Sequence, residues 1–159
     1  MTSPPLDEAG AAPPPATRFA ARLGGLGVVL PAGTPLEFVA DAAISPLPLA
    51  PARVAGLMQL RGQPLVVLDA SARSAGAAAI DRRDVLVVGR PPQAAALLVD
   101  GPPRPLVDGQ WHPARDARPD CAFAPALDVA GGEPGASRAA GEALYEVDPE
   151  RLFEALVRS

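Results

Sequence analysis

The stretch V-A-G-L-M-Q-L-R-G-Q-P-L-V-V-L-D, Val54 to Asp69, holds two apolar segments separated by an Arg-Gly pair. Val54–Leu60 and Pro64–Asp69 read as β-strands, and Gly62-Gln63 between them as the site of a tight hairpin turn. Arg61 is then a fixed charge between two segments that favour burial. A guanidinium stays protonated and cannot be neutralised to ease burial. It must reach solvent, meet an internal carboxylate such as Glu37 or Asp69, or face a partner.

Outward from this pair the same short β-type runs recur. Arg18–Leu23 and Gly27–Leu30 flank Gly24-Gly25, a hairpin signal, and Leu36–Val39 fits a short strand or a single helical turn. Ile44–Pro51 carries three prolines and reads as an extended connector. Ser71–Ala79 is Ala- and Ser-rich and reads as a loop. Asp84–Val88 and Ala94–Val99 are further strands, and Asp69 and Asp100 stand at strand ends, where a carboxylate caps a turn or accepts backbone hydrogen bonds. From Gly101 to Ala140 the periodicity thins, leaving Leu106-Val107, Trp111, Phe123 and Leu127–Val129 as apolar anchors. Ala143–Val147 reads as a closing strand. Asp148-Pro149-Glu150 then starts a helix, with Asp148 as N-cap and Pro149 at the first helical position. Leu152, Phe153, Leu156 and Val157 would form its apolar face. Many short strands, no βαβ alternation and one terminal helix point to an all-β fold of small barrels, which leave no unpaired edges.

Composition sets limits on function. The chain has 159 residues, 48% of them hydrophobic, enough for about one domain with a sizeable core. Residues 1–16 are small and Pro-rich and read as a disordered leader, so the folded domain is expected over 17–159. A net charge of −4 argues against a nucleic-acid surface. Arg82-Arg83, flanked by Asp81 and Asp84, reads as a solvated, charge-balanced turn rather than a phosphate site. Cys121 is the single cysteine, so an intrachain disulfide is impossible. The first residues lack the basic and apolar regions of a signal peptide, and no apolar run reaches bilayer length. A cytoplasmic protein without membrane insertion is the expectation.

Catalytic chemistry is hard to assemble from these residues. His112 is the single histidine, lying between Trp111 and Pro113 in the least regular region, which favours a surface loop over a catalytic role. One His and one Cys make no metal-ligand set of the usual N/S kind, and no basic neighbour lowers the pKa of Cys121. Gly24-Gly25-Leu26-Gly27 lacks the lysine and the strand-to-helix context of a phosphate loop. The reading is a protein without catalytic residues, cofactor or metal.

Several blocks resemble the chemotaxis coupling protein CheW and its relatives. Gly27–Pro31 followed by Leu36-Glu37-Phe38-Val39 is similar to the family's opening strand and Val-x-Glu-Val segment. Ile44-Ser45-Pro46-Leu47-Pro48, Pro51 and Val54-Ala55-Gly56-Leu57 through Leu60-Arg61-Gly62 to Asp69 match its most specific stretch. Val85–Val88, Ala96–Asp100 and Leu144–Leu152 look like the later blocks. Pro35, Val66 and Ala96 depart from the family pattern, and residues 101–141 hardly match it.

The resemblance implies two packed SH3-like five-stranded β-barrels with short helices, including a C-terminal one. It also implies a non-catalytic adaptor linking chemoreceptor cytoplasmic tips to the regulatory domain of a CheA-type histidine kinase. The pathway would be chemotaxis or, for a divergent relative, pilus-based motility. Carried over by position, Glu37, Gly56, Arg61 and Gly62 match places that serve partner contact. The alternative is a small β-barrel interaction module outside chemosensory signalling, binding extended segments by strand addition.

Overall fold

The computed structural model describes residues 17–71, 81–106, 111–114, 121, 123–127, 136–139 and 142–158. The expected leader over 1–16, most of the Ser71–Ala79 loop, and the anchors Val107 and Val129 lie outside the described residues.

Eleven strands form two sheets among these residues. One sheet contains β1 (Arg18–Leu23), β2 (Leu26–Leu30), β8 (Arg104–Leu106), β9 (Trp111–Ala114), β10 (Ala136–Ala139) and β11 (Glu142–Glu146), in the order β8-β1-β2-β11-β10-β9. Its strands pair antiparallel except at β2–β11, which is parallel. The other is built from β3 (Leu36–Ile44), β4 (Val54–Leu60), β5 (Gln63–Leu68), β6 (Asp81–Val88) and β7 (Ala95–Leu98), in the order β3-β6-β7-β5-β4. The five-stranded sheet is thus one continuous stretch of chain, and the six-stranded sheet is assembled from both ends around it. An all-β architecture with a terminal helix follows. Five strands were expected in each unit, and one sheet has six.

The turns explain the hairpins. Gly24 and Gly25 have φ of 56° and 85°, as expected for a two-residue turn whose central residues are both left-handed. The β4–β5 turn is one residue earlier than expected: Leu60 pairs with Gln63, so Arg61-Gly62 are its central residues, at φ 49° and 79°. Gly62 accepts that conformation freely, whereas Gln63 is needed as the first ladder residue of β5. β3 is a full strand rather than a short strand or helical turn, and it runs on to Ile44 through a bulge at Asp41, φ 53°, where the register shifts between Val39 and Ala42. Arg82-Arg83 lie within β6, opposite Ala43 and Ala42, and not in a turn; Asp41 compensates Arg82 with an ion pair of 3.1 Å. His112 lies on β9, not in a loop, opposite Arg138 of β10.

Burial follows strand position. Leu86 and Val88 of β6 face a core shared by both sheets, while the alternating Val85 and Val87 face a second core within the five-stranded sheet. β7 divides likewise, with Leu97 in the shared core and Ala96 and Leu98 in the other. Strands buried on both faces read as continuous apolar runs, as these do. Leu23, Val28 and Leu30 meet Leu68 and Leu86 in the shared core, which Phe123 and Leu127 of a 3-10 turn over Ala124–Leu127 extend. Asp100 stitches the sheets together: its N–H donates to the Arg22 carbonyl at 3.0 Å, and its carboxylate accepts the Gly25 N–H at 2.9 Å.

Helix α1 (Pro149–Arg158) starts as the sequence indicates. The Asp148 carboxylate accepts the Arg151 N–H at 3.0 Å, the Asp148 carbonyl accepts the Leu152 N–H at 2.9 Å, and Pro149 occupies the first helical position. Leu152 and Leu156 are fully buried, each burial contributing roughly 2 kcal/mol. Phe153 packs at the edge of the core, but Val157 is 57% exposed. At about 100° per residue, Val157 lies a full step round the helix from Leu156. Asp148→Ala removes the cap and is expected to lower stability by about 1 kcal/mol, measured as a fall in the urea midpoint with unchanged slope.

Candidate functional site

Arg61 projects from the tip of the β4–β5 hairpin, and its side chain is 73% exposed. The charge that looked awkward between two buried strands is therefore placed in solvent by the turn itself. Its Nη2 donates to Glu37 Oε1 at 2.8 Å. Glu37 is the second residue of β3, opposite Val87 of β6, so the pair spans from the β4–β5 hairpin to the start of β3. A single hydrogen bond engages Glu37, and the rest of the guanidinium fork faces outward. Of the two carboxylates considered for Arg61, Glu37 is the partner. Asp69 instead closes its own turn, accepting from the Ser71 N–H at 2.8 Å and the Ser71 hydroxyl at 2.6 Å.

Gly56 lies deeper. It is buried at a bulge where the β4–β5 register shifts between Val54 and Gly56. Its φ is 149°, and a Cβ there would sit 2.2 Å from the Ser45 carbonyl oxygen and 2.9 Å from Ile44 Cγ2. Beside it Ser45 and Leu57 exchange two backbone hydrogen bonds, each of 2.8 Å, joining the end of β3 to β4. Those are the two edge strands of the five-stranded sheet, so this bridge brings its edges together. Gly62 has open space around its Cβ position and serves the turn through its positive φ. Glu37, Arg61 and Gly62 thus share one exposed end of the sheet, and Gly56 acts behind them as a packing position.

Two exposed features had no sequence signal beyond their residue types. At the β3 bulge, Arg82 Nη1 reaches both the Asp41 carbonyl at 3.2 Å and its carboxylate at 3.1 Å, and Asp84 accepts the Asp41 N–H at 3.1 Å. In the β3–β4 connector, Leu49 has φ 58° and is fully exposed. Bulges and left-handed non-glycine residues arise from pairing across the sheet, which a local pattern does not encode. Among the described residues no group of three or more His, Cys, Asp or Glu side chains could hold a metal ion, and no helix is long and apolar enough to cross a membrane.

The CheW-like domain family model matches residues 19–156. The chain belongs to the CheW-like domain family. The match runs through residues 101–141, where the residues alone show little likeness. The fold is similar to that of the scaffolding protein TtCheW from Thermoanaerobacter tengcongensis, with a TM-score of 0.57 and 21% identity over 88% of this chain and 93% of that one. The curated proteins contain no match. In CheW-like terms, the β3–β7 sheet carries the residues that drew the resemblance, and the Ser45–Leu57 bridge holds them in one frame.

The geometry separates two kinds of residue. Gly56→Ala drives a Cβ into the Ser45 carbonyl and is expected to cost upward of about 3 kcal/mol or prevent folding. Arg61→Ala removes an exposed ion pair and is expected to cost under about 1 kcal/mol. Urea denaturation of the two variants side by side measures the contrast.

Proposed function

We propose that this chain is a non-catalytic signalling adaptor that couples chemoreceptor cytoplasmic tips to the regulatory domain of a CheA-type histidine kinase. It would act in the cytoplasm, in chemotaxis or pilus-based motility. Membership of the CheW-like family supports the adaptor class, and the neighbour TtCheW is itself described as a scaffolding protein. In this reading the two sheets are SH3-like barrels. The Ser45–Leu57 bridge between the edge strands of the five-stranded sheet supports that description.

The observation that carries the site is the Arg61–Glu37 pair. An exposed pair of this kind contributes little to folding, so stability gives Arg61 little reason to occupy a left-handed turn position. Asn, Asp or Gly would suit that position better. Glu37 holds the guanidinium over the end of the sheet, where its remaining donors form a fork suited to a partner carboxylate or backbone carbonyls. In this reading Glu37 and Arg61 contact the partner, Gly62 permits the turn, and Gly56 sets the frame that presents them.

Binding to the purified kinase regulatory domain and to receptor signalling tips tests this. Arg61→Ala is expected to keep its melting temperature within a few degrees and weaken binding to one of them about tenfold, the scale of a charge-assisted hydrogen bond. The charge-exchanged double variant Glu37→Arg with Arg61→Glu re-forms the internal pair and is expected to remain a weak binder. Equal binding by wild type and Arg61→Ala would overturn the site. Full recovery in the double variant would reduce the pair to an internal brace.

A further inference from the structure

We propose that Leu49 is a docking knob that inserts into an uncharged apolar pocket on the kinase regulatory domain, an assignment that rests on the adaptor reading. The connector between β3 and β4 turns at residues 47–50, where the Ala50 N–H donates to the Leu47 carbonyl at 3.4 Å. Pro48 and Leu49 are the central residues of that turn. Proline pre-sets the first central position, and the second, with positive φ, is a glycine or asparagine position. This chain places a leucine there, at φ 58°, with its side chain wholly in water. Folding gains from neither feature: the backbone is strained and the apolar surface unburied. Glycine would satisfy the turn better on both counts, and a local rule broken without a folding gain marks a functional position.

The surroundings define what covers it. No charged side chain occurs between Ala42 and Ala52. The bordering Arg53 is turned back to donate to the Ala70 carbonyl at 2.9 Å, and Asp41 is paired with Arg82. The tip is therefore neutral, and its host is apolar rather than charged. A second copy of this chain is a poor host. Exposed large hydrophobics among the described residues are Leu47, Leu49, Val66 and Val157, and a two-leucine tip falls far short of the ~800 Å² per partner that a stable dimer buries. The cavity of about 130 Å³ beside β1 is rimmed by Arg22, Asp100 and Arg104, which suits no leucine. A membrane would call for basic residues around the tip, and there are none. A projecting side chain needs a concave host, and of the two proposed partners the globular regulatory domain supplies one.

Leu49→Gly tests the assignment because glycine keeps the turn and removes only the knob. The expected result is an unchanged or raised melting temperature with about tenfold weaker binding to the kinase regulatory domain, the scale set by burial of one leucine. The loss should be equal at low and high salt, since no charge is involved. Unchanged affinity overturns the proposal, as does a lowered melting temperature, which would make Leu49 a folding residue. Loss of binding to receptor tips alone, of sedimentation with anionic lipid vesicles, or of self-association would likewise overturn it in favour of that occupant. A wild-type chain that binds neither kinase domain nor receptor tip defeats the adaptor reading itself, a different result from intact wild-type binding unaffected by Leu49→Gly.

Discussion

Gly56 approaches the Ser45 carbonyl so closely that a Cβ would lie 2.2 Å from its oxygen, and the closure of the five-stranded sheet rests on that contact. Without the approach, Ser45 and Leu57 could not exchange their two hydrogen bonds, and β3 and β4 would be open edges. Open edges expose unpaired backbone groups and invite pairing with other chains. The same closure fixes how far the β4–β5 hairpin stands from β3, and so whether Arg61 can reach Glu37. A buried glycine thus governs an exposed ion pair through the backbone alone.

The two sheets depend on each other in a comparable way. β6 and β7 are covered on one face by the core of their own sheet and on the other by the shared core, so neither sheet could bury these strands alone. The six-stranded sheet contains the first two strands of the domain and the last four, and β11 pairs in parallel with β2 only when the two ends meet. Leu152 and Leu156 of α1 fill the same shared core. Asp100 then holds the end of the five-stranded unit against the β1–β2 turn, so the hairpin that opens the domain is fixed by a carboxylate about seventy-five positions away.

Much of this is legible in the residues. Gly24-Gly25, the continuous run Val85–Val88 and the Asp148-Pro149 helix start each carry a local signal with a single physical solution, and each forms where the sequence places it. The failures share a cause. The β4–β5 turn slips by one residue because Arg is not an ordinary left-handed residue, and only the Leu60–Gln63 pairing reveals that it has become one. β3 looked shorter than it is because Asp41 interrupts its pattern, although the strand resumes beyond the bulge. Strands β8, β9 and β10 are three or four residues each and draw their order from neighbours, so prolines and charges hide them. At the site, residue types pointed to Arg61 and Glu37. Their contact, and the separate structural task of Gly56, are tertiary facts.

The three non-glycine residues with positive φ are Asp41, Leu49 and Arg61, and all three lie within the segment from β3 to the β4–β5 turn. Nothing comparable appears among the described residues of the six-stranded sheet. Asp41 is accounted for by its bulge and its hydrogen bonds to Arg82 and Asp84, which compensate its backbone locally. Arg61 is compensated in part, by one bond to Glu37. Leu49 has no compensation within the chain. The series runs from strain that folding explains to strain that folding does not explain, and its uncompensated members sit on exposed loops carried by a rigid sheet. Such a distribution is what a binding face requires: side chains held out at a backbone cost, on a frame whose geometry is set by a glycine that cannot be replaced.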